Sequence, residues 1–354
     1  MMPRLACFLL LLIVAACTAG VHFIRPGTGP ALYSDLNDTN STQGVLLERY
    51  LWQHGLYPVA GIQSEGQYID WADAASRSLW YIPAFLSPDG ELSLFGERLD
   101  ARDIAVITAP RPVLSVLDVA PTACGALGLH GDFDGRDLCQ ANASQVVVLY
   151  VDGLGWCRYG QARPSMKNLS ALAPVPACCV YPSISNVNAA AMVTGACPER
   201  SGVDRWENRD MRTDDAVSLA LRNGVSAAWI DGPRPPVSLR QGVVRVSDAN
   251  GDGSFDDEIA DRAAADYENG TRLLYVHLAD TDRMLHAYGP YSPQSLDSAA
   301  RADAMIGRLA GSLRPGTLLI VVSDHGGHAI AGGGGDHGSL LPGDMLIPLA
   351  IRLC

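Results

Sequence analysis

The chain has 354 residues, 48% of them apolar and 18% charged, which is ordinary globular composition and excludes a disordered polypeptide. Length alone allows one large domain or two smaller ones. A net charge of -12 argues against binding of nucleic-acid duplexes, which needs a basic surface, but leaves metal chemistry open because bound cations reverse the local charge of clustered carboxylates.

The N-terminus reads as an export signal over residues 1–20. Arg4 supplies the positive start, and Leu5 to Ala16 form an apolar run shorter than the roughly 20 residues of a membrane span. Val14-Ala15-Ala16-Cys17 resembles a lipobox, which would place a lipid on Cys17. A plain cleaved signal and an uncleaved N-terminal anchor running on to Ile24 are the alternatives. The expected location is outside the cytoplasm, as a cell-surface, membrane-anchored or secreted protein. Residues 21–45, rich in Gly, Pro, Asn, Thr and Ser, read as a tether, and 46–354 as a single folded domain. Beyond the signal lie Cys124, Cys139, Cys157, Cys178, Cys179, Cys197 and Cys354; in an exported chain disulfides are the default reading.

Helical patterning is expected near Val45 to His54 and Asp70 to Leu79. From residue 145 the pattern sharpens. Gln145 to Val151 (QVVVLYV) is a continuous apolar, β-branched run, as a buried parallel strand requires. Arg272 to Leu278, Thr317 to Val322 and Met345 to Ile351 repeat it, with helical stretches such as Pro293 to Leu313 between them. Strands alternating with helices predict an α/β fold, a mostly parallel sheet with helices on both faces.

Three of these strands end in polar clusters: Asp152-Gly153, then Ala-Asp-Thr-Asp from Ala279, then Ser-Asp-His-Gly-Gly-His from Ser323. Ligands of open α/β sheets bind beyond the carboxyl ends of strands, so the three clusters converge on one site. Asp282 and His286 have the i, i+4 spacing that puts both side chains on one helix face. Asp324 and His325 are adjacent on a turn and point in different directions. His337 sits in a glycine-rich stretch that lets backbone approach an ion closely. Asp and His donors suit zinc or a similar divalent ion. Ser185, in Tyr181-Pro-Ser-Ile-Ser-Asn-Val-Asn188, reads as the start of a helix. There it either caps the helix or acts as a nucleophile favoured by the helix N-terminus, with Asn188 one turn on as a donor to a phosphate oxygen.

Taken together, Val151-Asp-Gly-Leu, Tyr181-Pro-Ser-Ile-Ser with Asn188 and Val193-Thr-Gly, Asp282-x-x-x-His286-x-x-Gly289-Pro290, Ser323-Asp-His-Gly and His337-Gly-Ser resemble the alkaline phosphatase superfamily. The branch they resemble most is that of the type I phosphodiesterases and nucleotide pyrophosphatases. The resemblance implies the alkaline-phosphatase-like α/β fold and two divalent ions, expected as Zn2+. Asp152, Asp324, His325 and the Ser185 oxygen would hold one; Asp282, His286 and His337 would hold the other. It further implies that Ser185 attacks phosphorus of a small phosphate-ester substrate and forms a phospho-enzyme that water hydrolyses.

Departures from the family pattern widen the expectation. Ser185 and Ala189 stand where the phosphodiesterase branch usually has Thr and His. A phosphomonoesterase or a phospho-group transferase of the same superfamily is therefore the alternative, and a non-catalytic metal-binding surface protein a more distant one. The segment Leu114-Ser-Val-Leu-Asp-Val-Ala-Pro-Thr precedes the first metal Asp, whereas its counterpart follows the last metal His in many relatives. This suggests a circular permutation with 46–140 as the displaced C-terminal part, which requires residues 105–135 to lie near 345–351. Finally, Asp248, Asn250, Asp252 and Asp256 follow the opening of a calcium loop, with Ile259 in place of the acidic twelfth residue, so a structural Ca2+ is a further expectation.

Overall fold

The computed structural model describes residues 21–24, 45–64, 67–78, 84–86, 91–95, 97–100 and 104–354. The expected export signal, Cys17 and most of the expected tether lie outside these residues. Among the described residues no helix is long and apolar enough to cross a membrane. The chain divides into two compact units, residues 1–111 with 340–342, and residues 112–339 with 343–354.

The first unit holds β1 (Val21–Ile24), β2 (Val45–Leu46), β3 (Val59–Ser64), β4 (Gln67–Asp70), β5 (Phe85–Leu86), β6 (Glu91–Leu94), β7 (Glu97–Asp100) and β8 (Ile104–Thr108). They form two four-stranded sheets, ordered β1-β8-β3-β4 and β2-β5-β6-β7. Val21–Ile24, expected to open the tether, instead pairs antiparallel with Ile104 to Ile107. The two expected helices are Leu47–Gln53 and Trp71–Ser76, the second capped by Asp70, whose carboxylate accepts from the Asp73 N–H. Leu47, Leu51, Val59, Ile62, Trp71 and Val106 are buried in this unit.

The second unit is built on a seven-stranded sheet of β9 (Gln145–Val151), β10 (Val175–Cys178), β11 (Ala227–Asp231), β12 (Val243–Arg245), β13 (Leu273–Leu278), β14 (Thr317–Ser323) and, after the short pair β15 (His328–Ala329) and β16 (Gly335–Asp336), β17 (Leu346–Leu353). The order is β10-β17-β14-β9-β13-β11-β12, with every pairing parallel except the two made by β17. All seven residues of β9 and all six of β13 are buried, as the unbroken apolar runs require. Val147, Leu149, Val151, Leu274, Val276 and Leu319 pack on one face against helices Trp156–Ala162, Asp256–Glu268 and Pro293–Ser312. Helices Val119–Ala126 and Ala216–Arg222 contact the strands on the other side. The expected fold class, an α/β mostly parallel sheet with helices on both faces, is the one found.

Leu114 and Ser115 run alongside β10: the Cys178 N–H donates to the Leu114 carbonyl at 2.9 Å, and Ser115 pairs parallel with Cys178. Cys178 in turn faces Leu346 of β17. The segment 114–118 is thus one strand removed from 345–351. The expected disulfides are not formed by Cys124, Cys139, Cys157, Cys179, Cys197 or Cys354, which carry thiols.

Backbone approach is tightest where β14 ends. A Cβ on Gly326 would lie 1.9 Å from the Gly343 carbonyl oxygen and 2.8 Å from the Gly155 Cα, both backbone atoms that have no room to yield. This packing aligns the Gly155 N–H with the His325 carbonyl at 3.1 Å and the Gly326 N–H with the Asp344 carbonyl at 2.8 Å. Gly326→Ala is expected to destabilise the fold by about 1–3 kcal/mol, the usual cost of overpacking. Chemical denaturation measures it; an unchanged midpoint would mean that the loop relaxes freely.

Candidate functional site

The site forms beyond the carboxyl ends of β9, β13 and β14, where the sequence clusters converge. Asp152 follows β9 directly, its N–H bonded to the Leu278 carbonyl at 2.9 Å. Gly153 follows at φ +65°, and any Cβ there would lie 2.8 Å from Asp282 Oδ1. Glycine at this position therefore lets the end of β9 and the helix Asp280–Tyr288 close on each other. Asp282 and His286 share one face of that helix, with Oδ2 and Nε2 3.4 Å apart. Ser185 opens helix Ser185–Thr194, which has Ile184 at its N-cap and no side-chain cap.

Two donor sets meet here. In the first, His325 Nε2 lies 3.3 Å from Asp152 Oδ1 and 3.2 Å from Asp324 Oδ2. The Ser185 hydroxyl is 3.0 Å from the same nitrogen and 3.5 Å from Asp152 Oδ1. In the second, the Nε2 atoms of His286 and His337 face each other at 3.1 Å, with Asp282 Oδ1 3.7 Å from His337 Nε2. The His325 and His337 rings stack at 3.8 Å and join the sets. Three groupings could surround an ion: Asp152 with Asp324 and His325, Asp282 with His325 and His337, and His286 with Asp336 and His337. Asp336 was not anticipated; its only signal was its place beside His337.

The residues present fit divalent cations. The Nδ1 atoms of His325, His286 and His337 bond to the carbonyls of Gly326, Gly335 and Ser183 at 2.8, 3.0 and 3.0 Å. A carbonyl only accepts, so Nδ1 carries the proton and Nε2 of each neutral ring offers a lone pair to the centre. Asp282 Oδ1 is buried without a hydrogen-bond partner. Without cations, protons balance the charges. Burial and the Asp152 charge push the Asp324 carboxyl up to about 7. Burial works against the His325 cation, yet the Asp324 and Asp152 carboxylates raise it to about 10. The bond to Asp282 raises His286 to about 9, while burial and the His325 charge press His337 down to about 4. Asp152 stays below the usual carboxylate range: burial raises it, but its bonds to His277 and His325 outweigh that. Cations entering the centre would displace these protons.

Two sequence assignments change. Asn188 does not face the centre. Its Oδ1 accepts from the Val180 N–H at 2.7 Å, and its Nδ2 donates to the carbonyls of Val180, Pro182 and Ile184. The side chain, wholly buried, is consumed in closing the turn that presents Ser185. The calcium loop is not assembled either. Asp256 turns away and accepts from the N–H groups of Ala279 and Asp280 at 2.8 and 3.1 Å. Asp248, Asn250 and Asp252 fold back on the N–H groups of Gly251 and Gly253, Asp252, and Ser254 respectively. Among the described residues this loop supplies no group of three acidic or histidine donors around a common point.

Other residues escaped sequence reasoning because their partners are distant in the chain. Tyr150 donates to Asp324 Oδ2 at 2.7 Å. Buried Arg158 donates to the carbonyls of Gly153, Thr281 and Ser295, tying the Asp152 turn to the Asp282 helix. Trp206 and Tyr288 are 53% and 46% exposed. The Trp206 loop is anchored by Asn186, whose Nδ2 donates to the carbonyls of Arg205, Trp206 and Asn208. Asn188→Ala is expected to cost about 1–3 kcal/mol for each buried group left without a partner. A urea midpoint close to that of the unaltered protein would return Asn188 to the pool of ligand-binding residues.

Residues 232–338 match the family model "Type I phosphodiesterase / nucleotide pyrophosphatase". No curated protein matches. Among solved structures, phosphonoacetate hydrolase from Sinorhizobium meliloti 1021, in complex with phosphonoformate, aligns at 16% identity and a TM-score of 0.42, over 52% of this chain and 56% of that one. Murine ectonucleotide pyrophosphatase / phosphodiesterase 5, an inactive form in complex with AMP, aligns at 19% identity and a TM-score of 0.42, over 52% of this chain and 57% of that one. The chain thus spans little more than half the length of these proteins. The matched segment contains Asp282, His286, Asp324, His325 and His337. Residues 232–338 are thus similar to the type I phosphodiesterase / nucleotide pyrophosphatase family, the branch that the sequence motifs resemble.

Proposed function

We propose that the protein is an exported hydrolase of small phosphate esters, with phosphodiesters as the favoured class, working through Ser185 and two divalent cations, read as Zn2+. The observation that carries this reading is the position of the Ser185 hydroxyl. It sits at the uncapped N-terminus of a buried helix, 3.0 Å from His325 Nε2 and 3.5 Å from Asp152 Oδ1. A helix N-terminus favours an anion, so the phosphate and the nucleophile are drawn to the same place.

Asp152, Asp324, His325 and the Ser185 oxygen would hold one cation, and Asp282, His286 and His337 the other. When bound, the cations supply charge stabilisation for the attacking and leaving oxygens. The Ser185 Oγ attacks phosphorus, the P–O bond to the leaving alcohol breaks, and a phosphoserine remains. Water then attacks that phosphorus, the bond to Ser185 Oγ breaks, and the hydroxyl is regenerated. The aromatic side chains of Trp206 and Tyr288 are exposed to meet a leaving group.

The protein purified with zinc is expected to hydrolyse a nitrophenyl phosphodiester faster than the monoester, and Ser185→Ala to abolish turnover while metal content is retained. Preference for the monoester would move the assignment to a phosphatase. Turnover by Ser185→Ala at the original rate would remove the phosphoserine. Export makes a separate expectation: in intact cells the catalytic part is digested by added protease, and Cys17→Ser prevents fatty-acid labelling if the lipobox is used. Full protection from protease would overturn export.

A further inference from the structure

A row of buried polar side chains crosses the sheet behind the donor sets, and the chemistry described above does not use it. The register places Asp231 of β11, His277 of β13 and Tyr150 of β9 beside one another on three adjacent parallel strands: Ile230 faces Val276, and His277 faces Tyr150. His277 Nε2 is 3.0 Å from Asp152 Oδ2, and its Nδ1 is 2.9 Å from Asp231 Oδ2. Asp231 is itself fixed by the Trp229 indole N–H and the Gly232 N–H, both at 2.7 Å. The Tyr150 ring stacks on the imidazole at 4.2 Å and 12°. Asp231, His277 and Asp152 are 3%, 4% and 5% exposed, so solvent does not compete for these bonds.

The two oxygens of Asp152 therefore have different partners. Oδ1 faces the Ser185 hydroxyl and His325 Nε2, while Oδ2 faces His277 from behind, with the Tyr150 hydroxyl 3.5 Å away. A carboxylate after a strand end can rotate about its own side-chain bonds. A bond on Oδ2 removes that freedom and leaves Oδ1 aimed into the centre. Such outer partners orient metal-binding groups, and their loss typically weakens binding about 10–100-fold.

We propose that His277, held by Asp231, is a positioning residue that aims Asp152 at the cation shared with Asp324 and His325. This rests on the function proposed above. Among the described residues Asp282, His286 and His337 make no hydrogen bond to Asp231, His277 or Tyr150, so the effect falls on one donor set. His277→Gln restores a donor near the Nε2 position, whereas His277→Leu fills similar volume without one. Asp231→Asn tests the same chain from its far end and keeps the volume.

The experiment is chelator competition with zinc on the full chain, read as two separate affinities, together with kcat and KM for the nitrophenyl diester. The expected result for His277→Leu is a loss of about 10–100-fold in one affinity only, a fall in kcat and little change in KM, with His277→Gln recovering most of both. Asp231→Asn is expected to shift the same affinity in the same direction. Wild-type affinities in His277→Leu, an equal loss at both sites, or no recovery by His277→Gln beside a matching drop in thermal stability would overturn the proposal. If His277→Leu fails to fold, Asp231→Asn and His277→Gln decide, since unshifted affinity in Asp231→Asn and uniform loss in His277→Gln each count against it. A wild-type chain that binds no zinc and leaves the diester intact would instead overturn the proposed function.

Discussion

Asp152 and Asp324 lie out of water within reach of one imidazole, and the second unit is arranged around that arrangement. A buried carboxylate needs opposite charge or several donors, because desolvation costs several kcal/mol per ion. Asp324 takes hydrogen bonds from the Tyr150 hydroxyl and from the N–H groups of Gly153 and His325. Those bonds favour its charge, yet burial and the Asp152 charge still raise it to about 7. The protein part of the centre thus remains short of positive charge. Divalent cations would supply it, and the Nε2 atoms of His286 and His337, only 3.1 Å apart, show the same incompleteness on the other side.

The backbone must bring these groups together without filling the space between them. Parallel strands β9, β13 and β14 end at one edge, which places their following residues side by side. Gly153 and Gly326 then remove the side chains that would keep the turns apart. Arg158 contributes from the opposite direction. Its guanidinium bonds carbonyls and the Ser298 hydroxyl, with no carboxylate among its hydrogen-bond partners. Burial lowers its pKa to about 10, and the Asp282 charge works against that fall. A charged group under the helix that carries Asp282 helps that carboxylate remain ionised while fixing the helix to the Asp152 turn.

What could be read from the chain followed from short-range patterns. The strand Gln145–Val151 announced itself by a run of β-branched residues, and Asp152, Asp282, Asp324 and His325 by their place after such runs. Spacing within one helix was enough for Asp282 and His286. Long-range partners were invisible. Asp231 and His277 are separated by 46 residues, and Tyr150 and Asp324 by 174, so no local signal joined them. Asn188 and Asp256 mislead for a related reason. Each has the right residue type at the right spacing, but a backbone partner brought by the fold claims the side chain. Asp256 accepts two N–H bonds and is nevertheless raised to about 7 by burial and the nearby Asp280 charge.

The fate of Asn188 bears on how the centre meets an anion. With Asn188 closing the turn from Val180 to Ile184, Ile184 takes the N-cap position, and it has no side-chain oxygen to offer. A Ser, Thr, Asp or Asn in that place would satisfy the first N–H groups of the helix internally. Leaving the cap apolar keeps the positive end of helix Ser185–Thr194 beside the Ser185 hydroxyl and available to negative charge. The asparagine whose side chain is bonded to backbone therefore holds the turn that sets this helix terminus. On the function proposed above, the helix terminus would favour the anion, and the exposed aromatic side chains Trp206 and Tyr288 would be left to meet its organic part.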